Sequence, residues 1–386
     1  MRRSSIGWAL GLALGLSLLP GGQTHAVETE EGGQVIFNSE FMVMDSFGTD
    51  LNVFELKIED DPTGSGSATS TNKGTDIEHD EDFGWRGDLM YKDRGWGIGI
   101  SGFHFDNEGE ADEFVRGDLL PNLGRNEVSL RTAGSSFDCN RSGGGGSSGN
   151  CLGSVDSEIE VWMVDLYGIR ELVSTPDIGI DLQFGLRIAE YDWDMDSFAA
   201  LVDDPVGGTF PISPGGGNNP VGASSVSDSD DPLVGPFLSL LSTGRYGRFR
   251  VDGQITQAVV FGELNQATTR RQYADTGEGG TTLAALILRD VTYLQRDQDA
   301  VIPITDIRIK LGYDIIDNLT LGFGAYATTW FNVPEPPNME AIDRSLGVSS
   351  LNSDEENLTF LGASFSLEYR FGGGRLPSMP SMPWGR

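Results

Sequence analysis

Basic residues, cysteines, histidines and long apolar runs are all scarce in this chain, and each scarcity removes a class of function. Lysine and arginine number 26 against 58 aspartates and glutamates, a net charge of −32 at pH 7. Nucleic-acid binding needs a basic footprint that displaces phosphate counterions, so that class is excluded. Past the N-terminal segment, no stretch reaches the ~20 consecutive apolar residues of a membrane helix. A membrane barrel is not excluded, because its strands alternate and escape a hydropathy scan. Two of the three histidines, His79 and His104, lie past the N-terminal segment. They are too few for a His-rich zinc site, and neither stands beside an obvious nucleophile. Gly143–Gly146 has no Lys-Ser/Thr after it and is no phosphate loop. The acidic runs Glu78–Asp82 and Ser227–Pro232 lack the spacing of a calcium loop. No enzymatic activity, no cofactor and no metal site are expected.

What is present begins with an export signal. Arg2 and Arg3 give a positive start, Ile6–Leu19 an apolar core, and Thr24-His25-Ala26 a small-x-small cleavage site before Val27. Residues 1–26 are therefore read as a signal peptide, and export leads to an oxidising compartment. The two cysteines, Cys139 and Cys151, bracket the flexible stretch NRSGGGGSSGN and are expected to form an intramolecular disulfide.

Strand texture dominates the remaining chain. In Asn357–Phe371, Leu361, Ala363, Phe365, Leu367, Tyr369 and Phe371 share one face. Gly362, Ser364, Ser366, Glu368 and Arg370 share the other, a period of two. The same alternation predicts strands at Val35–Asp45, Phe83–Lys92, from Trp96 onward, Glu158–Glu171, Ile178–Trp193, Leu233–Tyr246, Arg248–Glu263, Ile304–Ile315 and Leu319–Phe331. Leu51–Ile58 reads as a continuation of the first strand. Near Gly102–Phe103 the apolar face changes sides, which a bulge would explain. Pro236 costs a ladder bond and is expected near a rim. The count is ten, with 8–12 possible. Connections alternate between tight turns and the long segments Glu59–Asp82, Asp106–Ser157, Asp194–Pro232, Leu264–Pro303 and Asn332–Glu356. Thr282–Leu294 is the one apolar run outside this plan, a loop helix or a rim extension of its neighbours. Short turns on one side and long loops on the other predict a closed antiparallel transmembrane β-barrel over Val27–Phe371, all-β, with both termini periplasmic. Gly372–Arg386, rich in Pro, Gly and Ser, is read as a flexible tail.

Charge separates by place. The segments 59–82, 195–231 and 332–356 hold 20 acidic residues against Lys73 and Arg344. The faces opposite the apolar stripes are mixed instead. They carry Arg86, Asp88, Lys92, Asp181, Arg187, Arg248, Arg250, Asp252, Asp306, Arg308, Lys310, Asp314, Glu368 and Arg370, the candidate lumen lining. Charges in a narrow barrel must pair, since an uncompensated one is expensive. Pairing alone explains the set, and conduction by some of them is the alternative.

With these segments in order, FGWRGDLMYKDRGWGIGISGFHF, VWMVDLYGIREL, IGIDLQFGLRIAEYDW, VGPFLSLLSTGRYGRFRVDGQITQAVVFGEL, IRIKLGYDIIDNLTLGFGAYATTWFNV and LTFLGASFSLEYRF resemble the pore-forming major outer-membrane barrel proteins of the Legionella type. The resemblance rests on strand texture and implies a porin-like barrel, with no site residues to carry over. In such barrels the closing Phe is usually last, whereas fifteen residues follow Phe371 here. The expected function is narrow, passive passage of small hydrophilic or cationic solutes across a bacterial outer membrane. The alternative is a closed structural barrel presenting acidic loops. Expected partners are outer-membrane lipid, lipopolysaccharide and the barrel-assembly machinery.

Overall fold

The structure is a computed structural model. It describes residues 33–47, 52–60, 69–76, 78–79, 81–115, 128–132, 135–138, 150–175, 177–202, 221–229, 231–275, 286–334, 338–343, 348–352 and 355–372. Residues 1–26, read as a signal peptide, Cys139 of the expected disulfide and residues 373–386, read as a tail, lie outside them.

Ten strands form a closed ring in which each pairs antiparallel with its sequence neighbours. They are β1 (Gln34–Phe47), β2 (Asp82–Asp93), β3 (Trp96–Val115), β4 (Asn150–Ser174), β5 (Ile178–Val202), β6 (Leu233–Tyr246), β7 (Phe249–Asp275), β8 (Leu286–Ile316), β9 (Leu319–Pro334) and β10 (Glu355–Gly372). Closure comes from β1 and β10, in register from Gln34↔Gly372 to Phe47↔Thr359. All ten strand segments read from alternation are present, and the fold is an all-β antiparallel barrel.

Tight turns join β2 to β3, β4 to β5, β6 to β7 and β8 to β9 at one end. Arg94 (φ 46°) and Gly95 (φ 78°) are both left-handed, the type I′ geometry that suits the twist of a two-residue hairpin. Between β6 and β7 only Gly247 (φ 62°), the first residue of the Gly247–Arg248 turn, is left-handed, as a type II′ hairpin turn requires. This end is the periplasmic one by the asymmetry of outer-membrane barrels.

Five expectations are corrected, the first that Asp106–Ser157 is a loop throughout: Asp106–Val115 on β3 pairs with Cys151–Glu160 on β4. Leu51–Ile58 does not continue the first strand: Asn52–Asp60 pairs with Thr69–Asp76 and Val128–Thr132 in a four-stranded sheet outside the ring. Leu264–Pro303 is no long loop, because β7 and β8 stay paired from Phe249↔Tyr313 up to Asp275↔Leu286. The apolar part of Thr282–Leu294 that is described therefore belongs to a rim extension, not a helix. Part of Asp194–Pro232 is wall as well. Val221–Asp228 stands above β6 and fills its place between β5 and β7. Gly102–Phe103, finally, holds no bulge, since β3 keeps one register against β2 and β4 throughout. Pro236 sits where the β6–β7 ladder skips two residues, between Val234↔Phe261 and Phe237↔Ala258.

The strand lengths explain the change of face on β3. A membrane needs only ~9–11 residues per tilted strand, yet β4, β5, β7 and β8 have 25, 25, 27 and 31. The barrel thus has two storeys. In the lower one, outward side chains are apolar and bare: Ile98 is 67% exposed, Phe323 65% and Phe41 59%. The inward ones there are charged. In the upper storey both faces invert. Outward Asp106, Glu108 and Glu110 on β3 stand opposite Glu160, Glu158 and Asp156 on β4. Those in turn face Asp192, Asp194 and Asp196 on β5. At the same height Phe105, Ile159, Val161, Tyr191 and Trp193 point inward and are completely buried. One strand alternates once, and it meets lipid below and water above.

Candidate functional site

The lumen is filled in layers. Above the periplasmic mouth lies a cavity of about 340 Å³, bordered by the β4–β5 turn and by β1, β2, β6, β7, β8 and β10. Lys92 on β2 reaches across to pair with Asp181 on β5. Deeper in, a charged layer spans the barrel. Arg250 on β7 donates from Nη1 to Glu368 Oε1 on β10 at 2.6 Å and from Nε to Asp252 at 2.8 Å. Its Nη2 donates to the other Glu368 oxygen, and Arg370 Nε donates to Glu368 at 2.9 Å. Arg308 on β8 donates to Glu40 on β1 at 3.0 Å and to Gln254 on β7 at 2.6 Å, and stands 3.5 Å from Asp88 on β2.

Arg187, 1% exposed, closes the top of this layer. Its Nε and Nη2 donate to the two oxygens of Asp165 on β4 at 2.7 and 2.8 Å. The same Nη2 lies 2.8 Å from Asp306 of β8, on a non-neighbouring strand. Forked guanidinium–carboxylate geometry of this kind fixes direction as well as charge. Arg86 stands 3.5 Å from Asp88 and lies over the Tyr326 ring at 5.9 Å. Between Arg86, Asp165, Gln183 and Gln254 a void of about 20 Å³ remains. A single water needs ~10–15 Å³ of such space, so this gap holds no more than about one.

Above the charges comes an apolar seal. Phe105 on β3 meets Phe360 on β10 at 5.0 Å between ring centres, edge to face. Phe103 on β3 meets Tyr326 on β9 at 5.4 Å, and Tyr191 on β5 meets Trp330 on β9 at 6.4 Å. None of these strand pairs are neighbours in the ring, so the rings touch across the lumen. Trp193 Nε1 donates to Ser157 Oγ at 2.9 Å, which satisfies its one polar atom. Asn332, left-handed at φ 55°, carries a bulge between Trp330 and Val333 that turns Val333 inward as well.

Of the residues read as lumen lining, Arg86, Asp88, Lys92, Asp181, Arg187, Arg250, Asp252, Asp306, Arg308, Lys310, Glu368 and Arg370 all take part in these ion pairs. Asp314 lies at the periplasmic rim, where it accepts from Thr320. Arg248 is in the Gly247–Arg248 turn, exposed, with its carbonyl accepting from Asp314 N; the turn holds it outside the lumen. Asp165 was not recognised in the sequence. Its neighbours on both faces of β4, Met163 and Tyr167 inward and Val164 and Leu166 outward, are apolar or aromatic, so the alternation that marks a lumen face is lost there.

On the upper outer wall, His104 Nε2 and Glu160 are 3.1 Å apart, and Trp162 Nε1 donates to Glu190. Carboxylates crowd here. Burial, then the charge of Glu160, raises the pKa of Asp106 and of Glu190; burial, then Asp106, raises that of Glu158.

A ten-stranded ring with a bare apolar belt and a charged interior defines a transmembrane β-barrel. No family model and no curated protein matches the chain, so the Legionella-type resemblance finds no family model behind it. Among solved structures it is similar to the outer membrane protease OmpT of Escherichia coli (TM-score 0.42, 10% identity, 88% of this chain and 96% of that one). It is also similar to the P. putida toluene transporter TodX (TM-score 0.21, 10% identity, 88% and 90%). A third is the anion-selective porin of Comamonas acidovorans (TM-score 0.16, 10% identity, 88% and 100%).

Proposed function

We propose that the protein is an outer-membrane barrel sealed in the state seen here, a scaffold that presents an acidic wall and its long connections at the cell surface. The observation that supports this is the set of ring contacts across the lumen, Phe105–Phe360, Phe103–Tyr326 and Tyr191–Trp330. An aqueous path needs a continuous polar lining, and about eight to ten strands leave little room beyond their own side chains. Outer-membrane lipid and lipopolysaccharide would surround the lower belt, and the barrel-assembly machinery would insert it. The narrow porin-like passage for hydrophilic or cationic solutes keeps one feature in its favour, the cavity open at the periplasmic mouth.

Planar-bilayer recording separates the two. The wild type is expected to give no steady current, since both the charged layer and the ring layer above it fill the lumen. A steady cation-selective current from the wild type would overturn the sealed reading in favour of the pore.

A further inference from the structure

The cavity at the periplasmic mouth has two unlike walls. On the β4–β5 side stand Glu171, Asp177 and Asp181. Facing them from β6, β7, β8 and β10 are Arg245, Arg250, Lys310 and Arg370. Asp252 and Glu368 stand among these bases and Lys92 pairs with Asp181, yet the two walls keep opposite net charge, which sets a field across the opening rather than along it.

One of these groups is poorly satisfied. Lys310 is 4% exposed, yet its Nζ has Asn38 Oδ1 at 3.5 Å, Glu368 at 3.7 Å and Asp252 at 3.9 Å. All three exceed the ~2.7–3.2 Å of an ordinary N–H···O bond. Its carboxylate neighbours are already engaged, Glu368 by Arg250 and Arg370, Asp252 by Arg250 and Thr243. The stem of Lys310 is given its course by Gly322, where a Cβ would stand 2.8 Å from Lys310 Cδ. A buried ammonium held by one long hydrogen bond and two long ion pairs gains from a closer acceptor, and this one lines an open cavity. The volume, about 340 Å³, is at the small end of the ~300–1,000 Å³ of small-molecule sites.

We propose that this cup binds a small zwitterionic solute of dipeptide size, its carboxylate on Lys310 and its ammonium toward Asp177 and Glu171. The site is a blind one under the seal, so it is a binding cup and not a segment of a pore. It depends on the lower storey only, and its failure would leave the sealed reading untouched.

The test uses the whole folded barrel in detergent micelles and calorimetric titration with alanyl-alanine. N-acetyl-alanyl-alanine, which lacks the ammonium, and alanyl-alanine amide, which lacks the carboxylate, are the comparison ligands. Saturable one-to-one binding of alanyl-alanine is expected, with each comparison ligand at least ~10-fold weaker, since one charged contact of about 1.5–3 kcal/mol is lost. Lys310→Met should abolish binding while keeping heat-modifiable migration in gels. Asp177→Asn, in an exposed turn where folding is not at stake, should weaken it several-fold. No saturable binding of alanyl-alanine, equal binding of all three ligands, or an unaffected Asp177→Asn variant would each overturn the proposal.

Discussion

The lower and upper storeys share most of their strands, with Val221–Asp228 standing in for β6 above, and β5 keeps one inward parity through both, yet their interiors are opposites. Below, β5 sends Asp181, Gln183 and Arg187 into the lumen; one turn of the alternation later it sends Ala189, Tyr191, Trp193 and Met195. The outer faces change with them, from Phe184 and Leu186 to Glu190, Asp192, Asp194 and Asp196. The difference teaches that strand parity assigns a side chain to a face, and the solvent at that height decides the chemistry of the face. Lipid outside permits a polar interior whose charges must pair. Water outside calls for the ordinary arrangement of a soluble barrel, apolar within and polar without.

The largest effect that sharpens this contrast lies at their boundary. Arg187→Met leaves Asp165 and Asp306 buried without their shared guanidinium. Breaking a buried charge pair from one side typically costs ~3–5 kcal/mol, and the variant should lose that much in urea unfolding from lipid vesicles followed by tryptophan fluorescence. Adding Asp165→Asn and Asp306→Asn should recover part of the loss, because the uncompensated charges go with it. A triple variant less stable than Arg187→Met would contradict the pairing role.

A smaller effect belongs to the upper wall alone. Asp106, Glu158 and Glu190 have raised pKa values in the folded barrel, from burial and from each other. Their charged forms therefore oppose folding at neutral pH, and that opposition fades as pH falls toward their folded pKa values. The melting temperature is expected to rise modestly as pH is lowered from 7 toward the raised pKa values of these carboxylates. Added salt at pH 7 should do part of the same by screening. Asp106→Asn/Glu158→Gln should flatten the profile. A melting temperature that falls over this range would break the contrast between repelling outer wall and paired lumen.

Much of this was legible in the residues. The ten strands, their order and the closure of Asn357–Phe371 onto the N-terminal strand follow from alternation and connection length, since lipid and a polar lumen write opposite patterns on opposite faces. Twelve of the fourteen candidate charges fall in ion pairs, while Arg248 lies in a turn and Asp314 at the rim. The second storey was not. At Gly102–Phe103 the switch of the apolar face looked like a bulge, because a register slip and a change of solvent leave the same trace along one strand. Gln295–Ala300 reads as loop since its outward residues are polar, yet it is wall paired with β7. Asp165 stayed hidden where apolar residues occupy both faces. The seal itself depends on which strands face each other across the lumen, and no local pattern reports that.

The most direct measurement compares outward positions at the two heights. Single cysteines at Ile98 and Phe323 below, and at Asp106 and Glu158 above, in a Cys139→Ser/Cys151→Ser background, would carry a fluorophore in lipid vesicles. The lower pair should be quenched by nitroxide-labelled lipid and spared by aqueous iodide, and the upper pair should show the reverse. If probes at Asp106 and Glu158 were quenched by lipid as strongly as those at Ile98 and Phe323, the upper storey would lie in the membrane and the two-storey barrel would be wrong.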